Sequence, residues 1–131
     1  MGGLRRGLAF FLGLGLGANA VWMLLSPLGW YAAVPGVAAT GPANMHFIRD
    51  IGCAYLAVAL SLFWLGWAPG AAWPAALVGG GFLVLHALVH LCDALAGREH
   101  AQQLLGELPS VFLPGILAVW LAWSARRAEK E

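Results

Sequence analysis

The sequence is poor in charge and in cysteine. Only 10% of its 131 residues are charged and the formal net charge is +1, whereas a soluble domain carries roughly 25% charged residues. So small a net charge argues against a nucleic-acid-binding protein, which would show a basic face or stripe. The two cysteines, Cys53 and Cys92, lie in apolar stretches. They indicate neither a secreted disulfide framework nor a CxxC motif.

Catalytic signatures are missing as well. The chain contains no nucleophile elbow, no phosphate-cradling loop and no carboxylate pair spaced for acid–base hydrolysis. Because no complete catalytic set is present, an enzymatic activity would have to borrow its chemistry from a bound cofactor. The sequence therefore favours a function other than catalysis.

Apolar sequence is what the chain has in abundance. Hydrophobic residues make up 61% of it, and the mean hydropathy is +0.79. A helix that crosses a bilayer needs about 20 mostly apolar residues. Four stretches reach that length: roughly 7–25, 47–67, 74–95 and 107–124. We therefore expect an all-α membrane protein in which residues 1–131 form a single four-helix transmembrane bundle, with the lipid bilayer as its main partner.

The first stretch has an alternative interpretation. The segment MGGLRR, the apolar run that follows it and Ala18-Asn19-Ala20 are together typical of a cleavable signal peptide. However, the apolar run continues through VWMLL, past that cleavage site, to a spanning length. This length favours a helix that is retained.

The basic and aromatic residues predict the orientation of the bundle. Five of the seven basic residues flank the first and fourth spans: Arg5, Arg6, Arg126, Arg127 and Lys130. An even number of spans puts both tails on one side, and an excess of basic residues marks the cytoplasm. Tryptophans cluster at the same predicted interface: Trp64, Trp67, Trp73, Trp120 and Trp123. We expect a multi-pass protein of the bacterial inner membrane with both termini cytoplasmic.

Ionisable residues are concentrated in two short stretches, HFIRDIGC (46–53) and HALVHLCD (86–93). Residues at i, i+4 and i+7 share one helix face. Two triplets have this spacing: His46, Asp50 and Cys53 in the second span, and His86, His90 and Asp93 in the third. At a rise of about 1.5 Å per residue, both triplets fall at a similar depth in the outer half of the membrane. We expect them to face each other in one cluster, supported by Arg49, Cys92 and Glu107.

Three roles are open for this cluster. Imidazole, carboxylate and thiolate groups suit a transition metal or haem, so the cluster is a candidate site for a metal, a haem or another small ligand of unknown identity. His and Asp side chains at depth can also relay protons in a small-solute transporter. Finally, the cluster can act only as a latch between helices in a structural or assembly protein. Arg49 can then pair with Asp93 across helices or with Asp50 locally, and the histidines with carboxylates. The almost wholly apolar inner halves of the helices count against transport.

Small residues predict where helices pack closely. Gly13 and Gly17 form a GxxxG pair in the first span, and Gly79, Gly80 and Gly81 lie inside the third. In lipid, helix association depends on the close packing that such residues allow. The GxxxG pair also leaves open a homo-oligomer or a membrane-protein partner.

Two further segments carry local predictions. Pro114 predicts a kink in the fourth helix, because proline removes a backbone hydrogen bond. The loop 26–46 is uncharged until His46, which indicates a surface segment that either shields the helix ends or acts as a lid.

The motifs GPANMHFIRDIG (41–52) and HALVHLCDALAG (86–97) resemble those of small bacterial four-helix membrane proteins that are loosely DoxX-like. The likeness covers the second and third spans. It implies a four-helix inner-membrane bundle and an accessory role beside quinone-linked redox partners, with no established activity. The residues of interest that it implies are His46, Arg49, Asp50, His86, His90 and Asp93.

Overall fold

A computed structural model describes residues 1–97 and 101–128, without the side chains of 101–103, and every regular element in them is helical. The α-helices are α1 (Gly3–Leu25), α2 (Pro27–Ala33), α3 (Met45–Trp67), α4 (Pro69–Leu95), α5 (Ala101–Glu107) and α6 (Leu113–Ala128). A 3-10 helix (Val37–Thr40) follows α2, and a π-helical segment (Leu108–Phe112) joins α5 to α6. Two basic residues lie outside the described ones: Lys130, which belongs to the predicted cytoplasmic set, and Arg98.

Four helices are long and apolar enough to cross a membrane, which confirms the predicted number of spans. They are Gly3–Leu25, Met45–Trp67, Pro69–Leu95 and Leu104–Ala128, the last including the π-helical segment. The third begins at Pro69 rather than near residue 74, because proline is tolerated in the first helical turn, where its missing N–H has no intrahelical partner. α1 runs without a break through Ala18–Ala20.

The spans pack as an up-down-up-down bundle. α1 packs along α3, α3 against α4, and α4 along α6. Within the described residues α1 and α4 make no backbone contact, so they lie diagonally across the bundle. The largest fully buried side chains form its centre: Met23, Leu62, Leu65, Leu83 and Leu121. We call the end where α1 begins and α6 ends the terminal end, and the opposite one the distal end.

The GxxxG face of α1 is covered within the chain. A Cβ added to Gly13 would lie 3.2 Å from the backbone oxygen of Ala59 on α3, and one added to Gly17 would lie 3.5 Å from the Ala59 side chain. This face therefore brings α1 close to α3, and its partner is a helix of the same chain.

The three consecutive glycines of α4 have different surroundings. A Cβ at Gly80 would lie 3.0 Å from the backbone nitrogen of Val119 on α6, and one at Gly79 would lie 3.0 Å from Oγ of Ser61 on α3. A Cβ at Gly81 would meet nothing within 4 Å. Two of the predicted packing glycines therefore contact neighbouring helices closely, whereas Gly81 points into open space.

Reciprocal arginines join the antiparallel helices α1 and α3. At the terminal end, Nε and Nη2 of Arg6 donate to the carbonyls of Gly66 and Trp67, each at 2.7 Å. Towards the distal end, Nε of Arg49 on α3 donates to the carbonyl of Leu24 at 3.3 Å. The last four carbonyls of a helix have no partner inside it. Each helix thus supplies an arginine that caps the end of the other.

The uncharged segment after α1 is folded against the distal end. Nε1 of Trp30 on α2 donates to Oδ1 of Asn19 on α1 at 2.8 Å. Further along, the Tyr31 hydroxyl donates to the Gly41 carbonyl, which ties α2 to the segment that leads into α3. These bonds favour the interpretation of the loop as a shield over the helix ends.

The last span starts irregularly. The N–H of Leu113 bonds to the carbonyl of Leu108, five residues back, and Pro114 is buried just after this π-helical segment. Proline cannot donate a backbone hydrogen bond. The π-helical segment ends at Phe112, two residues before Pro114, and Glu107 directly precedes it. The kink expected at Pro114 stays a prediction.

Candidate functional site

The polar stripe on α3 faces away from the bundle. The side chains of His46 and Asp50 are 89% and 58% exposed, and His46 Nε2 lies 3.4 Å from Asp50 Oδ2. Cys53, one turn further on, is also exposed. These side chains are near the start of α3, whose first turn is capped by Asn44 through hydrogen bonds from the backbone nitrogens of His46 and Phe47.

Tyr55 is the α3 residue that faces α4 at this level. Its ring is buried and lies edge-on to the His86 ring, with centroids 5.9 Å apart. On a helix with 3.6 residues per turn, His46, Asp50 and Cys53 point roughly opposite to Tyr55. The expectation that the two stripes face each other is therefore wrong, because the α3 stripe projects from the outside of the bundle.

Arg49 also has a different place from the one expected. Its Nε bonds to the Leu24 carbonyl, so the guanidinium caps α1. Neither of the ion pairs considered from the sequence, with Asp93 or with Asp50, occurs among the described contacts. The role of Arg49 is thus to join α1 to α3.

The stripe on α4 does form a cluster, and Glu107 is part of it. His90 Nδ1 lies 2.9 Å from Glu107 Oε2, and only 23% and 15% of the two side chains are exposed. The rings of His86 and His90 meet edge to face, with centroids 4.9 Å apart and planes at 76°. We call His86, His90 and Glu107 the His–Glu cluster. It joins α4 to the start of the last span.

Aromatic rings surround His86. Its ring stacks on Phe82, one turn earlier in α4, with centroids 6.2 Å apart and planes at 15°. Tyr55 and Phe82 contact each other at 5.7 Å with nearly perpendicular planes. His86 therefore lies between the polar pair His90–Glu107 and an aromatic wall.

The carboxylate of Glu107 fixes the orientation of His90. When His90 is neutral, Nδ1–H donates to the carboxylate, and when it is protonated the same contact becomes an ion pair. A hydrogen bond at one ring nitrogen determines the tautomer and the direction in which the other nitrogen points. In a membrane helix such a pair also lowers the cost of placing polar groups in lipid.

His86 differs from His90 because its ring nitrogens have no hydrogen-bond partner within the described part of the chain. Its ring is only partly buried. Polar groups in low-dielectric surroundings are nearly always hydrogen-bonded to protein, water or a ligand. This imidazole is therefore the group in the cluster that can receive a hydrogen-bonding molecule.

The remaining candidate residues lie around the His–Glu cluster. Asp93 is partly buried one turn beyond His90, and Cys92 is an exposed free thiol. Among residues 1–97 and 101–128, no three His, Cys, Asp or Glu side chains come together as a group that could hold a metal ion. Haem does not fit between His86 and His90 either, because their rings are in direct contact.

Tyr55 and Phe82 are the site residues that the sequence argument missed. A signal for Tyr55 is present, since it shares one helix face with Val58, Ala59 and Leu62 at i+3, i+4 and i+7. These positions are all buried. If this apolar face is assigned to the bundle interior, Tyr55 lies inside the bundle and the charged stripe lies on its outside.

No family model, curated protein or solved structure matches the chain. The resemblance to DoxX-like proteins stays a prediction.

Proposed function

We propose that this protein is a small multi-pass protein of the bacterial inner membrane that binds a small hydrogen-bonding ligand at His86, in the outer half of its bundle. The observation that supports this is the imidazole of His86, which lies among aromatic rings without a hydrogen-bond partner in the described residues. A ligand that donates or accepts one hydrogen bond would satisfy it.

The neighbouring side chains have supporting roles in this proposal. Glu107 orients His90, and His90 in turn packs its ring against that of His86. Phe82 and Tyr55 provide an apolar surface for a flat or partly apolar molecule. A transition-metal ion bound by His86 would need ligands from the solvent or from a partner, since the described side chains supply no three-ligand group. An accessory redox role is the extension that the DoxX-like resemblance implies.

The proposed orientation puts the terminal end in the cytoplasm. It is supported by Arg5, Arg6, Arg126 and Arg127, which all belong to that end, because basic residues are retained on the cytoplasmic side. A fusion of green fluorescent protein to the C-terminus should fluoresce, and a fusion of alkaline phosphatase at the same position should be inactive. The reverse pair of results would contradict this orientation.

Mass spectrometry tests the binding site. The wild-type protein, purified in mild detergent without chelators, should carry a near-stoichiometric adduct, found as added mass in native spectra or as a metal in elemental analysis. His86→Phe should weaken binding roughly tenfold and carry clearly less of that adduct than the wild type under the same conditions, since the lost hydrogen bond contributes about 1.5 kcal/mol. Phenylalanine keeps the ring contacts with Phe82 and Tyr55, so the bundle should still fold.

His46→Ala is the matched control, because it removes a histidine that lies outside the bundle. It should keep the adduct at the wild-type level. An adduct that stays at the wild-type level in His86→Phe, or that is reduced equally in His46→Ala, would contradict binding at His86. Wild-type protein with no adduct would also count against the proposal.

A latch between helices is the second candidate function, and the bond between His90 and Glu107 supports it. If the cluster only joins α4 to the last span, His90→Ala and Glu107→Ala should each destabilise the protein by about 1.5–3 kcal/mol. The double variant should then be hardly less stable than either single variant. His86→Phe would have little effect on stability, and no adduct would be found.

A further inference from the structure

The terminal end carries a groove that is separate from the His–Glu cluster. It is an open groove of about 540 Å³ between the start of α1 and the last turns of α6. Its lining combines two arginines with two tryptophans and a hydroxyl: Arg5, Trp120, Trp123, Ser124, Arg127 and Ala128. The groove thus has cationic side chains beside broad apolar rings at the predicted membrane surface.

The arginines at this end have different tasks. Arg6 is used in capping α3. The guanidinium of Arg126 lies between two indole rings, 5.3 Å from the centroid of Trp73 and 4.9 Å from that of Trp123. These contacts leave Arg5 and Arg127 as the cations that line the groove.

Trp120, another residue of the groove, orients the side chain of Arg5. Its guanidinium carbon lies 5.4 Å from the ring centroid of Trp120, which is within the range of a cation–π interaction. Such stacking uses the flat face of the guanidinium and leaves its N–H groups at the edge, where they can donate. Arg127 is exposed and belongs to the same lining. Within the described residues neither arginine pairs with a carboxylate.

Charge is segregated along the bundle. The described carboxylates are Asp50 and Asp93 near the distal end, and Glu107 at the start of the last span. The terminal end has four arginines among its described residues, and the residues Glu-Lys-Glu at 129–131 lie outside the description. Its described surface is therefore complementary to an anion.

We propose that this groove binds the phosphate of an anionic phospholipid headgroup. Arg5 and Arg127 would donate to the phosphate oxygens, and the Ser124 hydroxyl, which donates to the Leu121 carbonyl in the structure at 2.9 Å, offers its oxygen as an acceptor for a headgroup hydroxyl. Trp120 and Trp123 are each about half exposed and would contact the glycerol backbone and upper acyl chains. Basic pockets between membrane helices recognise anionic lipids in this manner.

Native mass spectrometry of protein released from nanodiscs tests the proposal. The nanodiscs contain equal amounts of phosphatidylglycerol and phosphatidylethanolamine. We expect the wild type to retain one phosphatidylglycerol molecule in preference to phosphatidylethanolamine. Arg5→Gln/Arg127→Gln should retain roughly tenfold to thirtyfold less, because each juxtamembrane arginine strengthens binding to anionic lipid severalfold.

Arg49→Gln is the matched control, since it removes an arginine at the distal end. It should retain phosphatidylglycerol as the wild type does. Equal retention by the Arg5/Arg127 double variant, or equal retention of both lipids by the wild type, would overturn the proposal. The single variants Arg5→Gln and Arg127→Gln keep the test valid if the double variant fails to fold, and each should show part of the loss.

A second arm distinguishes a lipid from a soluble phosphate. Glycerol 1-phosphate is titrated against the detergent-solubilised protein while the tryptophan fluorescence is recorded. We expect no saturable change at millimolar concentrations, because the soluble ester lacks the acyl chains that would contact Trp120 and Trp123. Saturation at micromolar concentrations, abolished by Arg127→Gln, would assign the groove to a soluble phosphate ester and overturn the lipid assignment.

Discussion

Replacing Gly80 by alanine should destabilise the bundle, whereas the same change at Gly81 should not. A Cβ at Gly80 would lie 3.0 Å from both the backbone nitrogen and a side-chain methyl of Val119, and 3.2 Å from the Ala118 Cβ. A backbone atom cannot rotate away, so α4 and α6 would have to separate by a few tenths of an ångström. At Gly81 the new methyl group meets nothing within 4 Å.

The expected magnitudes come from two opposing effects. Alanine is favoured over glycine within a helix by roughly 0.5–1 kcal/mol, and this gain applies equally at both positions. Overpacking of a close contact costs typically about 1–3 kcal/mol. Gly81→Ala should therefore be neutral or stabilise the protein by up to about 1 kcal/mol. Gly80→Ala should lie about 1–3 kcal/mol below it.

Unfolding in mixed detergent micelles measures this difference. The helical circular-dichroism signal of both variants is followed as the fraction of sodium dodecyl sulfate increases, and the free energies of unfolding are compared. Because helix propensity favours alanine equally at both positions, its effect cancels in the difference between the two free energies of unfolding. Equal stability of Gly80→Ala and Gly81→Ala, or a lower stability for Gly81→Ala, would refute the packing of α4 against α6 described above.

Substitutions at three further contacts are tested by the same assay. Arg6→Gln should lower stability by about 1.5–3 kcal/mol, because two carbonyls at the end of α3 lose a charged donor; an unchanged stability would contradict this cap. Trp30→Phe should cost about 1 kcal/mol through loss of the bond to Asn19, and Asn19→Ala should then add little to it. His46→Ala should change stability by less than about 0.5 kcal/mol, since its pair with Asp50 is exposed. A larger loss would mean that His46 makes a stabilising contact other than this pair.

The sequence was sufficient to predict the spans, because the bilayer imposes a length that ordinary apolar runs rarely reach. The boundaries were less accurate, and the reason is local. Pro69 begins α4 in a position where proline is tolerated, and the residues before 107 already belong to the last span. The last span also continues past Pro114, which lies in the first turn of α6, where proline is tolerated.

The direction of the polar stripe on α3 could not be predicted in the same way. Periodicity shows that His46, Asp50 and Cys53 share a face, but it does not say whether that face points inward. In soluble proteins a polar face is assigned to solvent, whereas in lipid ionisable residues are expected to face the interior. Here the stripe occupies the first turns of α3, at the distal end of the bundle, and its side chains are exposed. The rule for soluble proteins therefore holds at this end of the helix.

The contacts of the arginines show a second limit of sequence reasoning. Arg49 was expected to pair with an aspartate, because opposite charges in lipid attract strongly. In the structure it bonds to the Leu24 carbonyl instead, as Arg6 does to the carbonyls of Gly66 and Trp67. Unpaired carbonyls at a helix end are backbone groups and leave no trace in the sequence pattern. Only the antiparallel packing of α1 and α3 brings them within reach.

The position of the His–Glu cluster favours binding over passage through the chain. Between this cluster and the arginines of the terminal end, the described centre of the bundle is filled by the fully buried side chains of Leu62, Leu65, Leu83 and Leu121. A proton or polar solute that reached His86 from the distal end would meet this apolar layer, where no hydrogen-bonding group compensates for its lost hydration. The same side would then be its exit. Access from one side only suits a molecule that is held at His86. A transporter built from this chain would need a path along the outside of the bundle, between two copies of the protein.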